Sequence, residues 1–324
     1  MDPLNVSRVP LPLARVLCRD FPLGRAYEPA LQRFLADVAA LSGPPDHTQP
    51  SGSPDRAPSP GPPDRAPSPG PPDRAPSPGS PDRAPSSGPP DRDWLPERRT
   101  TFTDMAAGML DELRGDGAPI GLVVLAHGTP DSEPGWPACF LTWRLPGAPP
   151  AFAVADQGVV TPFTALRVAG ARIRADGPRR AIVLIMDQRT LVPPPRPAGA
   201  ADARIPLRNR AVALVLDERG TLGTLTAGVE PGVGPKRAGG FLAGLAETGQ
   251  PVLTGPALAS WDGPPNRVRA SVGAPCTGLW ALAAEGLDRW RAAGVRRVHL
   301  LDHDPELRCL GHCAVDLVPP PLLP

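Results

Sequence analysis

Hydrophobic positions between residues 100 and 190 follow two alternating patterns. Uninterrupted apolar runs at 120–126, 151–155 and 181–186 are short, and they are typical of strands buried on both faces of a sheet. Between them, Phe102–Leu113 and 161–175 space their apolar residues as helices do. Strand and helix in alternation predict a parallel α/β sheet covered on both faces.

The same pattern recurs more loosely nearer the C-terminus. Further elements are predicted as strands at 211–216, 295–301 and 313–318, and as helices at 28–41, 236–247 and 277–293, with a short turn or helix at 137–143. Thr161 is expected to cap helix 161–175, with Pro162 in its first turn. We therefore expect an α/β fold of two pseudo-repeated halves with parallel or mixed sheets. Its segments would be a helical N-terminal part of the first half (1–42), a linker (43–92), the first half (93–200) and an abbreviated second half (201–324).

Residues 43–92 break this pattern completely. They hold 18 of the 50 prolines and no Val, Ile, Leu, Met, Phe, Trp, Tyr or Cys. A nine-residue PDRAPSPGP unit repeats with an Asp-Arg pair in each copy, so the repeat is charge-neutral. Such a segment has no apolar surface to bury, which predicts a disordered, partly polyproline-II insertion. The alternative is a scaffold that binds partners through this proline-rich repeat.

Composition narrows the classes of partner and compartment. The formal net charge is +1, which gives no electrostatic argument for nucleic acid or an anionic membrane as the partner. No apolar run reaches the roughly 20 residues of a membrane helix, and the N-terminus lacks a secretion signal. Five scattered cysteines do not form a disulfide scaffold. These features favour the cytoplasm.

Three segments carry a family resemblance. GTPD at 128–131 follows the first strand, ALRVA at 165–169 lies in the helix after the second, and PCTGLWALAAEGLDRW at 275–290 opens the last helix. In order and spacing, residues 100–318 resemble the ketoacyl-ACP synthase III enzymes of the thiolase superfamily. The resemblance implies a thiolase-like fold and a site for acyl thioesters.

The catalytic residues of that family are missing from their places. The resemblance implies a nucleophilic cysteine thiolate at a helix N-terminus, assisted by a histidine and an asparagine. The cysteine position falls at Val159, and the chain has no Cys between Cys139 and Cys276. It has no His between His127 and His299, and Pro275-Cys276 stands where the asparagine is expected. The resemblance therefore implies a degenerate member without the usual Cys–His–Asn chemistry.

Three residues offer alternative chemistry in the same pocket. Gln157 lies two residues before the nucleophile position, and related ketosynthases with Gln in place of Cys decarboxylate malonyl groups. Cys276 starts a helix, which would lower the pKa of its thiol. His127 follows the first strand at the mouth of the expected site. These residues keep open an atypical acyltransferase or a malonyl-thioester decarboxylase.

A C-terminal cluster contains zinc-ligand residue types. His303, Cys309, His312 and Cys313 are the candidates, but no second paired motif completes four ligands. Strand periodicity also scatters the set across two faces, so we expect polar residues near a turn and no metal or other cofactor.

The leading hypothesis is a ketosynthase-like accessory protein of secondary or lipid metabolism that binds an acyl thioester, free or on an acyl carrier protein. It would form a homodimer, or a heterodimer with an intact ketosynthase. We expect that contact at strand 181–186, because thiolase-type domains pair through the strand after the nucleophile helix.

Overall fold

The computed structural model describes residues 10–26, 98–113, 119–131, 136–177, 179–189, 205–258 and 265–320. The helix predicted at 28–41 and the proline-rich repeat at 43–92 lie outside the described residues. In the described part, the strands are β1 (Leu11–Phe21), β2 (Arg25–Ala26), β3 (Arg98–Arg99), β4 (Leu122–His127), β5 (Ala151–Val154), β6 (Arg180–Asp187), β7 (Asn209–Asp217), β8 (Gly223–Glu230), β9 (Val252–Thr254), β10 (Arg267–Arg269), β11 (Arg297–Asp304) and β12 (Cys309–Leu317). The α-helices there are α1 (Phe102–Leu113), α2 (Pro137–Arg144), α3 (Thr161–Asp176), α4 (Pro235–Ala246) and α5 (Gly278–Ala292).

Two five-stranded sheets of identical topology join edge to edge. The strand order is β10-β9-β11-β12-β8-β1-β7-β6-β4-β5. When the five strands of each half are numbered 1 to 5 in chain order, both halves have the order 3-2-4-5-1 from the outer edge to the centre. The first strands of the two halves, β1 and β8, therefore meet at the centre. They pair antiparallel over Leu11–Leu13. The fold is therefore two copies of one α/β unit, as the sequence predicts.

The six predicted strands and the helices at 102–113, 161–175, 236–247 and 277–293 are confirmed, with their ends shifted by a few residues. Strands β1, β8, β9 and β10 were not predicted from the sequence. Strand β1 departs most from the expectation, because it lies in a segment that was expected to be helical and it joins the two halves.

The boundary between the halves differs from the expected position near residue 200. Strand β7 pairs with β6 and β1, so it is the last strand of the first sheet, and the second sheet begins at β8. The second sheet is not abbreviated, because it has the same five strands as the first. Strand β6 pairs on both sides, with β4 and β7, so it offers no free edge to a second subunit. That part of the dimer prediction is wrong.

The core forms three apolar layers between the elements. Helices α3 and α5 pack between the inner faces of both sheets, where most of the buried side chains of the halves meet. Helices α1 and α2 cover the outer face of the first sheet, and α4 covers part of the outer face of the second. The result is a layered helix–sheet–helix–sheet–helix arrangement with α3 and α5 at its centre. Within the described residues, no helix combines the length and the apolar character needed to cross a membrane.

Candidate functional site

The two central helices begin beside one cavity. Helix α3 connects β5 to β6 in the first half, and α5 connects β10 to β11 in the second, so the internal repeat relates them. Phe163 and Trp280, near their first turns, pack with ring centroids 5.4 Å apart. A cavity of about 380 Å³ lies at these helix starts and is lined by both halves, including Val159 and Cys276. Each of these two residues stands two positions before the first residue of its helix, so they are equivalent in the repeat.

An apolar residue, Val159, stands at the start of α3. Val159 is 4% exposed and lines the cavity at the position where the resemblance places a cysteine. A single 3-10 turn, Gly158–Val160, leads into the helix, and the Thr161 hydroxyl donates a hydrogen bond to the Gly158 carbonyl at 2.8 Å. Thr161 is therefore the first helical residue, and the prediction that it is the N-cap is wrong.

Gly158 is required by its surroundings. Its φ is +53°, a left-handed backbone conformation that residues other than glycine rarely adopt. A Cβ atom there would also collide with the Asp304 carboxylate. The other oxygen of this carboxylate accepts hydrogen bonds from the backbone N–H groups of Glu306 and Leu307, at 3.1 and 3.0 Å. Asp304 thus lies against the chain that enters α3.

The start of α5 is occupied by a carboxylate from the first half. Asp187, the last residue of β6, accepts hydrogen bonds from the backbone N–H of Cys276 at 3.1 Å and of Thr277 at 2.8 Å. The Thr277 hydroxyl also donates to it at 2.6 Å. Asp187 and Asp304 end equivalent strands, so each half sends an aspartate to the helix start of the other half. The positive end of α5 is therefore already neutralised inside the protein.

Burial and hydrogen bonding act against each other on Asp187. Its carboxyl is 1% exposed, and desolvation raises its pKa from 3.8 to about 6, although the hydrogen bonds from Thr277 and Cys276 oppose the rise. Near Cys276, Asp302 is also buried, and burial raises the pKa of this carboxyl well above its usual range. Burial thus raises the pKa of both carboxyl groups, and at a pKa of about 6 Asp187 is still mostly ionised at pH 7.

Burial and charge both act against the predicted reactivity of the Cys276 thiol. Burial raises the pKa of this thiol well above 9.0, and the negative charge of Asp187 raises it further. Its Sγ atom lies 3.6 Å from the Gly158 carbonyl oxygen, to which the protonated thiol donates. The helix start that should stabilise a thiolate instead binds the Asp187 carboxylate. Cys276 is therefore a neutral, packed thiol.

The other two catalytic candidates are held by local contacts. The Gln157 side-chain oxygen accepts a hydrogen bond from the Thr164 hydroxyl at 2.5 Å, and Gln157 does not line the cavity. His127 has its Nδ1 atom 2.7 Å from the Thr129 carbonyl, and its ring packs 4.5 Å from that of Phe102. Burial lowers the pKa of His127, which favours the neutral ring.

The zinc candidates do not converge. The His303 Nε2 atom lies 2.8 Å from the Val233 carbonyl, and His312 faces Glu230 at 3.4 Å. Cys309 and Cys313 donate to the Leu307 and Ala314 carbonyls. No group of three or more His, Cys, Asp or Glu in the described ranges has the geometry of a metal site.

The positions of Asp187 and Asp304 at the central helix starts were not predicted from the sequence. A signal was present, because the apolar runs of β6 and β11 each end in an aspartate (MDQ at 186–188 and DHD at 302–304). A polar residue at the carboxyl end of a buried strand is a common position for a functional group. The sequence alone could not show that each aspartate reaches across to the other half.

Comparison with solved structures identifies the fold. A tetronic acid condensing enzyme, AbyA1, is 17% identical with a TM-score of 0.50, over 68% of this chain and 87% of that one. OleA from Xanthomonas campestris, in a form with one glutamate replaced by glutamine, is 12% identical with a TM-score of 0.53, over 94% of this chain and 96% of that one. A form of OleA with aspartate in place of the same glutamate is 13% identical with the same TM-score, over 68% and 83%. No family model and no curated protein sequence matches the chain. The chain has a thiolase-like fold, as the sequence resemblance predicts.

Proposed function

We propose that this protein is a non-catalytic, ketosynthase-like subunit that assembles with a second thiolase-like chain. The observation that carries the proposal is the pair of equivalent positions at the central helix starts. One holds Val159, which has no nucleophilic atom, and the other holds Cys276, whose thiol is buried, protonated and hydrogen-bonded. A covalent acyl-enzyme needs an activated nucleophile at such a helix start.

The cavity charge favours a role in assembly over acyl-thioester binding. Asp156, Asp304 and Glu306 line the cavity, and none of its described lining residues is Arg or Lys. Coenzyme A and the phosphopantetheine arm of acyl carrier protein carry phosphate groups, which carboxylates repel. An acyl thioester is therefore the weaker candidate ligand, and acyl carrier protein the weaker candidate partner.

An assembly surface is available at the outer end of the first sheet. Strand β5 ends the strand order, so its second edge has no partner strand among the described residues. Helix α2 packs beside it, and Trp136, the residue just before this helix, and Trp143 within it are 80% and 81% exposed. An open strand edge next to two exposed tryptophans favours an interface.

We propose that this surface pairs with a second copy of the chain or with an intact ketosynthase. Light scattering of the purified protein should give twice the mass of one chain, or a heterodimer mass once an intact ketosynthase of the same host is added. Trp143→Glu should abolish both the homodimer and the heterodimer, because it places a charge in the apolar contact. Val272→Glu is the matched control, since Val272 is 49% exposed and lies in the other half. A monomeric mass under both conditions would contradict the proposal.

Intact-protein mass spectrometry tests the absence of chemistry separately. Incubation with acetyl- or malonyl-coenzyme A should leave the mass unchanged, and malonyl-coenzyme A should not lose carbon dioxide. An adduct that is lost in Cys276→Ala would support the acyltransferase alternative. Decarboxylation that is lost in Gln157→Ala would support the decarboxylase alternative.

A further inference from the structure

A second cavity lies on the outer face of the second sheet. It has a volume of about 960 Å³ and runs between α4 and the first residues of β11. The side chains that give it its character are Arg237, Phe241, Leu245, Arg296, Arg297 and His299. We call this cavity the outer groove.

Glycines on α4 keep the outer groove open. Gly240 and Gly244, one turn apart, both line it, and a Cβ atom at either position would meet nothing within 4 Å. In the first half the equivalent helix is α1, which follows the first strand in the same way. On that helix Met105 and Met109, also one turn apart, are fully buried against the first sheet. The residues at the same places along α4 are Ala238 and Leu242, which are buried too, so the groove lies on the neighbouring side of α4, where the two glycines stand.

The last strands of the two sheets, which lie beneath α1 and α4, also differ in the polarity of their outer faces. On β7, Ala211, Ala213 and Val215 belong to the dry core under α1. On β12, the equivalent last strand of the second sheet, His312 and Asp316 are on the outer face. His312 is buried beside Glu230, whereas Asp316 lines the groove, and a charged side chain there is typical of a face that contacts water or a ligand rather than an apolar helix.

The charges of the outer groove select an anion. Arg297 forms an ion pair with Asp316, which neutralises both. The Arg237 guanidinium lies 5.7 Å above the Phe241 ring, and no carboxylate in the described residues pairs with Arg237 or Arg296. Glu247 is the remaining acid of the lining, so the groove keeps a positive surplus. Phe241 and Leu245 supply an apolar wall beside these two guanidinium groups.

We propose that the outer groove is a binding site for an amphipathic anion, an apolar chain or ring that ends in a carboxylate or phosphate. The volume lies within the range of small-molecule sites, and guanidinium groups bind both of these anions. The site is separate from the central cavity, because the groove lies at Arg297 and the cavity at Asp304. These residues are the two ends of β11 and are about 20 Å apart at the usual rise per residue. Their side chains also lie on opposite faces of the sheet.

Dodecanoate is a suitable probe, measured by isothermal titration calorimetry below its micelle-forming concentration. The intact chain should bind one equivalent, and dodecanol, which lacks the anion, should bind at least tenfold more weakly. Gly244→Phe should abolish binding because the new ring fills the groove, and its Cβ atom has open space around it. Gly240→Leu, which also favours the helix, should do the same. Arg296→Ala should weaken binding about tenfold, which is the usual range for a lost charged contact.

The matched control is Ala243→Phe, an exposed position of the same helix that does not line the groove. It should bind dodecanoate as the unaltered chain does, and far-ultraviolet circular dichroism should show all variants folded. Unchanged binding in folded Gly244→Phe and Gly240→Leu would overturn the proposal and would place the probe elsewhere, for example in the central cavity. Equal loss in Ala243→Phe would also overturn it.

Discussion

The Asp187 carboxylate accepts two hydrogen bonds from Thr277, from its backbone N–H at 2.8 Å and from its hydroxyl at 2.6 Å. Asp187 ends the fourth strand of the first sheet, and Thr277 directly precedes α5 of the second half. One buried carboxylate therefore joins the two halves and satisfies the N–H groups at the start of a central helix. The same contact removes these N–H groups from any role in stabilising an oxyanion.

Asp187→Ala should destabilise the fold by about 1–3 kcal/mol, because it leaves three buried donors without an acceptor. Denaturation by urea measures the change in the free energy of unfolding. Asp187→Asn should lose less stability than Asp187→Ala, because the asparagine side chain keeps one acceptor oxygen. Asp217→Ala is the control, since Asp217 is less buried and its carboxylate accepts from the backbone of Arg219 in a surface turn. Equal losses for Asp187→Ala and Asp217→Ala would show that the contact between the halves contributes little.

The raised pKa of Asp187 predicts a specific pH dependence. In the folded state this carboxyl titrates at about 6 rather than 3.8, so between these values the folded protein binds more protons than the unfolded chain. Its contribution to stability is fully present below about pH 4 and is lost as the pH rises through 6, by about 2–3 kcal/mol. The difference in unfolding free energy between the unaltered chain and Asp187→Asn isolates this effect from other titrating groups. A difference that does not change between pH 4 and 7 would contradict it.

Cys276 should resist thiol reagents. Burial and the raised pKa leave almost no accessible thiolate at pH 8, whereas Cys139 is exposed. Iodoacetamide labelling followed by peptide mass spectrometry should modify Cys139 at least a hundredfold faster than Cys276. In guanidinium chloride the two rates should become similar, which serves as the control. Fast labelling of Cys276 in the folded protein would restore it as a candidate nucleophile.

Gly158→Ala should destabilise the protein by about 2 kcal/mol or more. The methyl group would meet the Asp304 carboxylate, and alanine is strained at a φ of +53°. Gly240→Ala is the matched control and should be neutral or stabilising, because its Cβ meets nothing within 4 Å. The double variant Gly158→Ala with Asp304→Ala should recover part of the loss. Thermal unfolding of these variants measures this, and a neutral Gly158→Ala would contradict the close approach of Asp304.

Local patterns in the sequence were sufficient for most of the elements. The apolar run of β6 and the periodicity of α1 each bury enough surface to select one secondary structure, whatever surrounds them. The order of such elements also indicated the thiolase-like fold. Strand β1 was missed because Arg15 and Arg19 interrupt its apolar positions. Its extended conformation depends on pairing with β7 and β8, which are about 200 residues away.

The chemistry of the site was decided by tertiary structure. A cysteine at a helix start predicts a lowered thiol pKa, yet the pKa of Cys276 is raised. The main cause is burial of the thiol, and the negative charge of Asp187, 89 residues earlier in the chain, raises the pKa further. Hydrophobic periodicity is a local property, so the sequence determined which segments are strands and helices. Desolvation and charge act through space between segments distant in the chain, so only the packed structure determined which groups can ionise.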